Sequence, residues 1–209
     1  MNMQNRFNIL GLTLVILLAS CSSSEDEQIQ EELSSSGSTE IGLIDDERIL
    51  AAESEPGNWL AHGRTYEERR FSPLNDINKE NVSELGLVWS KDMGTNRALE
   101  ATPIVVDGIM FFTSTWSRVY AVDALTGETI WKFDPKVPGE WARKACCDIV
   151  NRGVAVYNGK VYSASLDGRL FAINAETGEL VWEVDTIIDR TRSYTITGAP
   201  RVAKGKVYI

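Results

Sequence analysis

The chain has 209 residues and is acidic, with 21 lysine and arginine residues against 30 aspartate and glutamate residues. That length is sufficient for one substantial domain with a sizeable core. No basic cluster is longer than Glu67–Arg70, and half of that cluster is acidic. A surface that binds nucleic acid is therefore not expected.

The first 21 residues have the features of an export signal. Arg6 supplies a positive charge, and Ile9–Leu18 is an apolar run too short to span a membrane comfortably. The stretch Leu18–Cys21 resembles the lipobox of bacterial lipoproteins, in which the cysteine is lipidated and becomes the mature N-terminus. The alternative is an ordinary secretory signal with a chance cysteine. In both cases we expect an exported protein, and lipidation of Cys21 predicts a membrane-anchored periplasmic lipoprotein.

The segment that follows the signal differs in composition from the rest of the chain. Residues 22–44 are expected to form a disordered tether rich in serine and glutamate, and residues 45–209 to form the folded part. Acidic residues and apolar spacing predict a short helix over Ile44–Ser54. The mixed aromatic and charged stretch Asn58–Leu74 is predicted to close over the folded part as a loop and a short strand.

An internal repeat dominates the remainder of the sequence. Asp107–Trp131 aligns without gaps on Asn158–Trp182 at an offset of 51 residues, and a third copy begins at Ala199–Ile209, a further 46 residues on. Each copy predicts four antiparallel strands joined by tight turns at Asp/Asn-Gly and Thr-Gly pairs. Four strands per unit of this length are typical of a propeller blade. We therefore predict an all-β propeller whose recurrent tryptophan packs between blades.

The two offsets also predict which side chains meet. They place Glu100, the Asn151–Arg152 pair and Thr197 just before the first strands of three successive units. Because the first strand of a blade lies nearest the propeller axis, we expect these residues to converge at one end of the channel. A carboxylate, an arginine and a hydroxyl there could bind a compact, oxygen-rich anion. The alternative is a structural ion pair between Glu100 and Arg152.

Two adjacent cysteines, Cys146 and Cys147, precede that arginine. Neighbouring Cα atoms lie about 3.8 Å apart, below the usual disulfide range of roughly 4.4–6.8 Å, so a bond between these cysteines would close a strained ring. Such strain tends to mark a functional site. The alternatives are two free thiols and pairing with cysteines outside this chain. A metal site is not expected, because the pair lacks metal-ligand spacing and His62 is the single histidine.

The stretch Cys146–Gly153 (CCDIVNRG) resembles the vicinal-disulfide motif of alcohol and methanol dehydrogenases that depend on pyrroloquinoline quinone (PQQ). The repeat phrase ending in tryptophan is similar to the docking motif of eight-bladed quinoprotein propellers. The resemblance implies a disulfide between Cys146 and Cys147 that stacks on one face of the cofactor. The other residues that it implies in PQQ contact are Glu100, Arg152 and Thr197.

The resemblance also implies a reaction and its cofactors. Members of this family oxidise alcohols to aldehydes, use a bound Ca²⁺ or in some cases a lanthanide, and pass electrons to a cytochrome c-type acceptor. No catalytic residue or metal ligand is expected within this chain, and a haem c domain is left open. Since two blades cannot close an eight-bladed ring, residues 45–209 are expected to be the N-terminal part of a longer protein and inactive alone.

Two other classes stay open at this point. A non-enzymatic propeller lipoprotein, such as the scaffold of the outer-membrane β-barrel assembly machinery, would share the lipobox and the repeats. A glucose-type quinoprotein of another branch would share the cofactor. The combination of Glu100, the cysteine pair, Arg152 and Thr197 favours an alcohol dehydrogenase, because a scaffold has no evident use for that set.

Overall fold

A computed structural model describes residues 41–97 and 99–209, which form mainly antiparallel β-sheet. The predicted export signal, with Cys21, and most of the predicted tether lie outside the described residues. Two sheets have four strands each and a third has two, and within each sheet the strands that follow one another in sequence are paired. The strands are β1 Ile104–Val106, β2 Ile109–Thr113, β3 Val119–Asp123, β4 Thr129–Phe133, β5 Ala155–Tyr157, β6 Lys160–Ala164, β7 Arg169–Asn174, β8 Leu180–Asp185, β9 Arg201–Ala203 and β10 Lys206–Tyr208.

This arrangement confirms the all-β class and the repeat. Strands β1–β4 and β5–β8 are two propeller blades, and β9–β10 are the first two strands of a third unit. Equivalent first strands begin 51 and then 46 residues apart, as the sequence offsets predict. Alternate residues of β2 are buried, which is the pattern of a sheet with one face against the core. In the second unit, β5, β6 and β7 are largely buried on both faces, whereas β8 is exposed along its whole length.

Helical structure is confined to short segments. The predicted helix over Ile44–Ser54 is present as α1, Asp46–Leu50, followed by a 3-10 turn, Ala52–Ser54. The Asp45 carboxylate caps α1 by accepting from the Arg48 N–H. Ile44 is fully buried in the core, so the folded part begins before the predicted end of the tether. The other 3-10 turns are Val82–Glu84, Thr115–Ser117 and Gly139–Arg143.

The recurrent tryptophan docks one blade onto the next, as predicted. The Trp131 indole N–H donates to the Ala175 carbonyl of the second unit at 2.9 Å. Its ring lies so close to Gly178 that a Cβ there would meet it at 2.7 Å, so the turn accepts only glycine. Trp89 contacts Gly127 of the first unit in the same way. The glycine of each Thr-Gly turn is thus required both by its positive φ and by the docked ring.

A type I′ turn closes the first hairpin of every unit. The turns are Asp107-Gly108, Asn158-Gly159 and Lys204-Gly205, and both residues of each have positive φ. We call this end of the three inner strands, β1, β5 and β9, the turn end. The opposite end, where these strands begin, holds the residues that the sequence predicts to meet.

One N-terminal segment, Gly42–Arg48, contacts all three turns. The Gly42 N–H and the Arg48 guanidinium donate to the Asp107 carboxylate. The carbonyls of Gly42 and Ile44 accept from the second turn at 3.0 and 2.8 Å. The Asp46 carboxylate accepts from the Lys204 N–H at 2.9 Å. The segment therefore fixes the spacing of three successive units at the turn end. Among the described residues, no helix is long and apolar enough to cross a membrane.

Candidate cofactor-binding site

Three side chains from three successive units meet where the inner strands begin. The Arg152 guanidinium lies 3.0 Å from the Glu100 carboxylate through Nη2 and donates to the Thr197 hydroxyl at 2.6 Å through Nη1. The convergence predicted from the repeat offsets is therefore confirmed. The side chains of Arg152 and Glu100 remain 39% and 37% exposed, so a ligand could reach both.

A chain of backbone hydrogen bonds holds this end together. The Arg152 N–H donates to the Thr197 carbonyl at 2.9 Å, and the Arg152 carbonyl accepts from the Thr102 N–H at 3.1 Å. Gly153 pairs with Thr102 in an isolated parallel bridge and has a φ of 126°. A Cβ at Gly153 would meet the Thr102 carbonyl at 2.8 Å, so the close approach of the two units requires glycine.

The cysteine pair lies on the surface beside this cluster. Cys146 and Cys147 are both exposed and are present as free thiols. The hydrogen bond with the neighbouring Cys147 raises the pKa of the Cys146 thiol above its ordinary value, and the positive charge of Arg152 offsets part of this rise. The cysteine pair lies five residues before Arg152 in sequence, in the segment that leads into β5. The disulfide that the resemblance implies is not formed in this structure and stays a prediction.

A small apolar cluster supports the cysteine segment from below. Trp141, Ile149 and Leu166 are buried together, and Trp116 packs against them. The Trp116 N–H donates to the Ile149 carbonyl at 3.0 Å. Trp116 has a φ of 62°, which is unusual for a bulky residue and carries strain. The cluster anchors the segment just after Asp148, which itself has a φ of 64°.

A second ion pair links the two loops that carry the site. Arg97, three residues before Glu100, donates to the carboxylate of Asp148, which follows Cys147 directly. Both side chains are exposed, and the hydrogen bond from the Arg97 guanidinium holds the pKa of Asp148 below its ordinary value. An exposed pair of this kind is screened by solvent and contributes little stability. It nevertheless joins the Glu100 loop to the cysteine segment across the mouth of the site.

The geometry fits a planar, oxygen-rich anion better than a purely structural ion pair. An ion pair as exposed as Glu100–Arg152 is screened by water and contributes little to stability. The same guanidinium presents several planar N–H donors, which suit carboxylate and quinone oxygens. The described part of the chain contains no cluster of three or more His, Cys, Asp or Glu side chains placed to hold a metal ion.

The sequence analysis missed the contacts of several residues. Arg97 and Asp148 are separated by the same 51-residue offset as the repeats, so their contact could have been predicted. Trp89 lies in Leu87–Asp92, which has the pattern of the fourth strand of a unit. Its docking role was missed because the first three strands of such a unit were not identified before it in the sequence. Thr113, whose hydroxyl donates to the Asn151 side chain next to Arg152, could not be identified from the sequence, since a threonine at the end of a strand is ordinary.

Comparison with known proteins defines the family. Residues 59–184 match the family described as the glucose/ethanol/alcohol dehydrogenase β-propeller domain, abbreviated PQQ. This match covers more than half of the chain. The chain therefore belongs to the PQQ-dependent dehydrogenase propeller family, as the CCDIVNRG stretch and the docking tryptophans indicate.

Two individual relatives with high sequence identity are named as dehydrogenases of alcohols. The chain is 58% identical over 166 residues to the quinohemoprotein alcohol dehydrogenase ADH-IIG of Pseudomonas putida, covering 79% of this chain and 23% of that protein. It is 57% identical over 153 residues to the 1-butanol dehydrogenase (cytochrome c) of Thauera butanivorans, covering 73% and 22%.

A solved structure extends the likeness to the coordinates. The structure of ADHIIG from Pseudomonas putida HK5 superposes with a TM-score of 0.79 at 57% identity, covering 80% of this chain and 24% of that one. The chain thus spans about a quarter of the length of the curated relatives that it matches.

Proposed function

We propose that this chain is the N-terminal part of a PQQ-dependent alcohol dehydrogenase that oxidises alcohols to aldehydes. The observation that carries the proposal is the Arg152 guanidinium, which joins the Glu100 carboxylate and the Thr197 hydroxyl beside two adjacent cysteines. A relative that is 58% identical is named a quinohemoprotein alcohol dehydrogenase, which supports the same reaction class.

Each of these residues has a role that its chemistry suits. Arg152 would bind oxygen atoms of the quinone through its planar donors, and the Thr197 hydroxyl would donate or accept beside it. Glu100 would hold Arg152 in place and accept from a protonated group of the cofactor. Cys146 and Cys147, joined as a disulfide, would cover one face of the planar ring. When bound, PQQ supplies the two-electron oxidising capacity that no side chain has.

The remaining cofactors are proposed on the resemblance. A Ca²⁺ ion, or a lanthanide in its place, would be held by residues outside those described, so no step is assigned to a metal here. Electrons would pass from reduced quinone to a cytochrome c-type acceptor, as the name of the Thauera relative suggests. The names of quinohemoprotein relatives favour a haem domain in the complete enzyme.

We also propose that the enzyme is exported and held at the periplasmic membrane surface by a lipid on Cys21. The support is the apolar run and lipobox-like stretch of the sequence. The wild-type protein is expected to incorporate radiolabelled fatty acid, and Cys21→Ser is expected to incorporate none. Absence of label from the wild type, or equal labelling of Cys21→Ser, would contradict the lipid anchor without affecting the proposed chemistry.

The activity is tested with the complete enzyme, expressed with export and supplied with PQQ and Ca²⁺. Primary alcohols should reduce an artificial electron-accepting dye, and omission of PQQ should abolish that reduction. Lack of activity across a broad panel of alcohols and aldehydes would overturn the proposal. Failure to bind PQQ at all would instead favour a non-enzymatic propeller scaffold.

A further inference from the structure

Asn151 has a fully buried carboxamide whose hydrogen bonds are all directed into the protein. The side chain is 2% exposed, although it precedes the partly exposed Arg152. Its Nδ2 donates to the Ala164 carbonyl at 2.7 Å. Its Oδ1 accepts from the Gly153 N–H at 3.0 Å and from the Thr113 hydroxyl at 2.9 Å. Disturbing this buried amide would be costly in stability, because buried donors and acceptors would be left without hydrogen-bond partners.

The partners of this amide belong to two different blades. Thr113 is the last residue of β2 in the first blade, and Ala164 is the last residue of β6 in the second. Thr113 is itself 1% exposed, and its hydroxyl also reaches the Asn151 carbonyl at 3.3 Å. The amide therefore joins neighbouring blades immediately beneath the arginine.

We propose that Thr113 and Asn151 are positioning residues that hold Arg152 in the orientation needed to bind the quinone cofactor. The inference rests on the proposed function of Arg152, since only a cofactor contact makes its orientation matter. The backbone of Arg152 is already fixed at its N–H by Thr197 and at its carbonyl by Thr102. The Asn151 side chain supplies a third restraint, because its Oδ1 binds the Gly153 N–H and so fixes the backbone on both sides of Arg152.

Thr113 allows a clean test, because it is not among the residues proposed to contact the cofactor and its hydroxyl hydrogen-bonds to Asn151. Thr113→Val removes the hydroxyl and keeps the branched shape, whereas Thr113→Ser keeps the hydroxyl. The control is Ser114→Ala, since the neighbouring Ser114 hydroxyl is equally buried but has no hydrogen-bond partner among the described residues. Asn151→Ala is a stronger variant, but its larger cavity endangers folding.

The variants are made in the complete enzyme, and PQQ affinity of the apo-protein is measured by fluorescence titration well below the melting temperature. We expect Thr113→Val to weaken PQQ binding by about five- to tenfold, which is the effect of one lost hydrogen bond. Thr113→Ser and Ser114→Ala should bind within about twofold of the wild type. At saturating PQQ, the KM for alcohol should be unchanged in all three, because a positioning defect acts on the cofactor.

A second readout does not depend on the cofactor. Amide hydrogen exchange of the apo-protein should be faster around residues 151–153 in Thr113→Val than in Thr113→Ser. Wild-type affinity in a folded Thr113→Val variant, or an equal loss in Ser114→Ala, would overturn the inference. If the wild type itself binds no PQQ, the proposed function fails, and the exchange data alone then decide whether Thr113 restrains Arg152.

Discussion

The two ends of the three inner strands are built for different purposes. At the beginning of the strands, Glu100, Arg152 and Thr197 keep polar atoms at the surface, and Trp116 and Asp148 adopt strained positive φ angles nearby. At the turn end, each of the three turns is hydrogen-bonded to the Gly42–Arg48 segment.

This difference indicates how the fold separates stability from binding. Exposed polar groups lie where a ligand can use them, whereas each turn at the opposite end is hydrogen-bonded to another segment of the chain. The inner strands have only three residues each, so the two ends are close in space yet chemically distinct. Substitutions at the beginning of the strands should therefore change PQQ affinity, and substitutions at the turn end should change stability. The predictions below concern the complete enzyme.

The largest effect is expected for Arg152→Ala at the beginning of the strands. Loss of charged hydrogen bonds of roughly 1.5–3 kcal/mol each should weaken PQQ binding about a hundredfold or more. The apparent melting temperature should change little, since the partly exposed pair with Glu100 contributes only roughly 0–1 kcal/mol. Lys206→Ala, which removes one charge from an exposed strand residue, is the control. A large stability loss with intact affinity would show that the ion pair is structural.

At the turn end, Arg48→Ala should lower stability and leave PQQ affinity unchanged. The guanidinium lies 2.9 Å from Glu55 and 2.7 Å from Asp107, and these contacts raise the pKa of the arginine. Its removal should lower stability by about 1–2 kcal/mol, read as a lower apparent melting temperature, because two carboxylates lose a partly buried partner. PQQ affinity should stay within about twofold. The exposed Arg69 is the matched control, and a similar shift in Arg69→Ala would argue against a specific role of the segment.

The sequence predicted the repeated elements better than the contacts between distant segments. The offsets of 51 and 46 residues predicted the strands, the turns and the meeting of Glu100, Arg152 and Thr197, because equivalent positions in a propeller occupy equivalent places. The docking role of Trp131 followed from its recurrence.

The contacts of the N-terminal segment could not be predicted in that way. Gly42–Arg48 occurs once, and its partners lie about 65, 115 and 160 residues away in sequence, as the spacings to Asp107, Asn158 and Lys204 show. The role of Thr113 was hidden for a related reason. Its hydroxyl has a role because it donates to the buried amide of Asn151, and no local sequence pattern identifies that partner.

Acidification should weaken the turn end through Asp46. The Tyr66 hydroxyl and the Lys204 N–H hold the pKa of Asp46 below its ordinary value. A carboxylate with a lowered pKa stabilises the fold above its unfolded pKa of about 3.9, and this contribution is lost as the pH falls through the folded pKa. Asp46→Asn should therefore lower the apparent melting temperature at pH 6, and its difference from the wild type should shrink below about pH 4. The exposed Glu47→Gln should show no such pH-dependent difference.

The smallest effect is expected from improving one turn. The first two units use Asp-Gly and Asn-Gly, which suit a type I′ turn, but the third uses Lys204-Gly205 with a φ of 51° at the lysine. Asparagine tolerates positive φ better than lysine, so Lys204→Asn should stabilise the protein by about 0.5 kcal/mol. The Lys204 N–H would still donate to Asp46, and PQQ affinity should not change. Lys206→Asn in β10 should be neutral or slightly destabilising, since asparagine is unfavourable in strands. If both variants behave alike, the turn geometry is not what limits stability at this end.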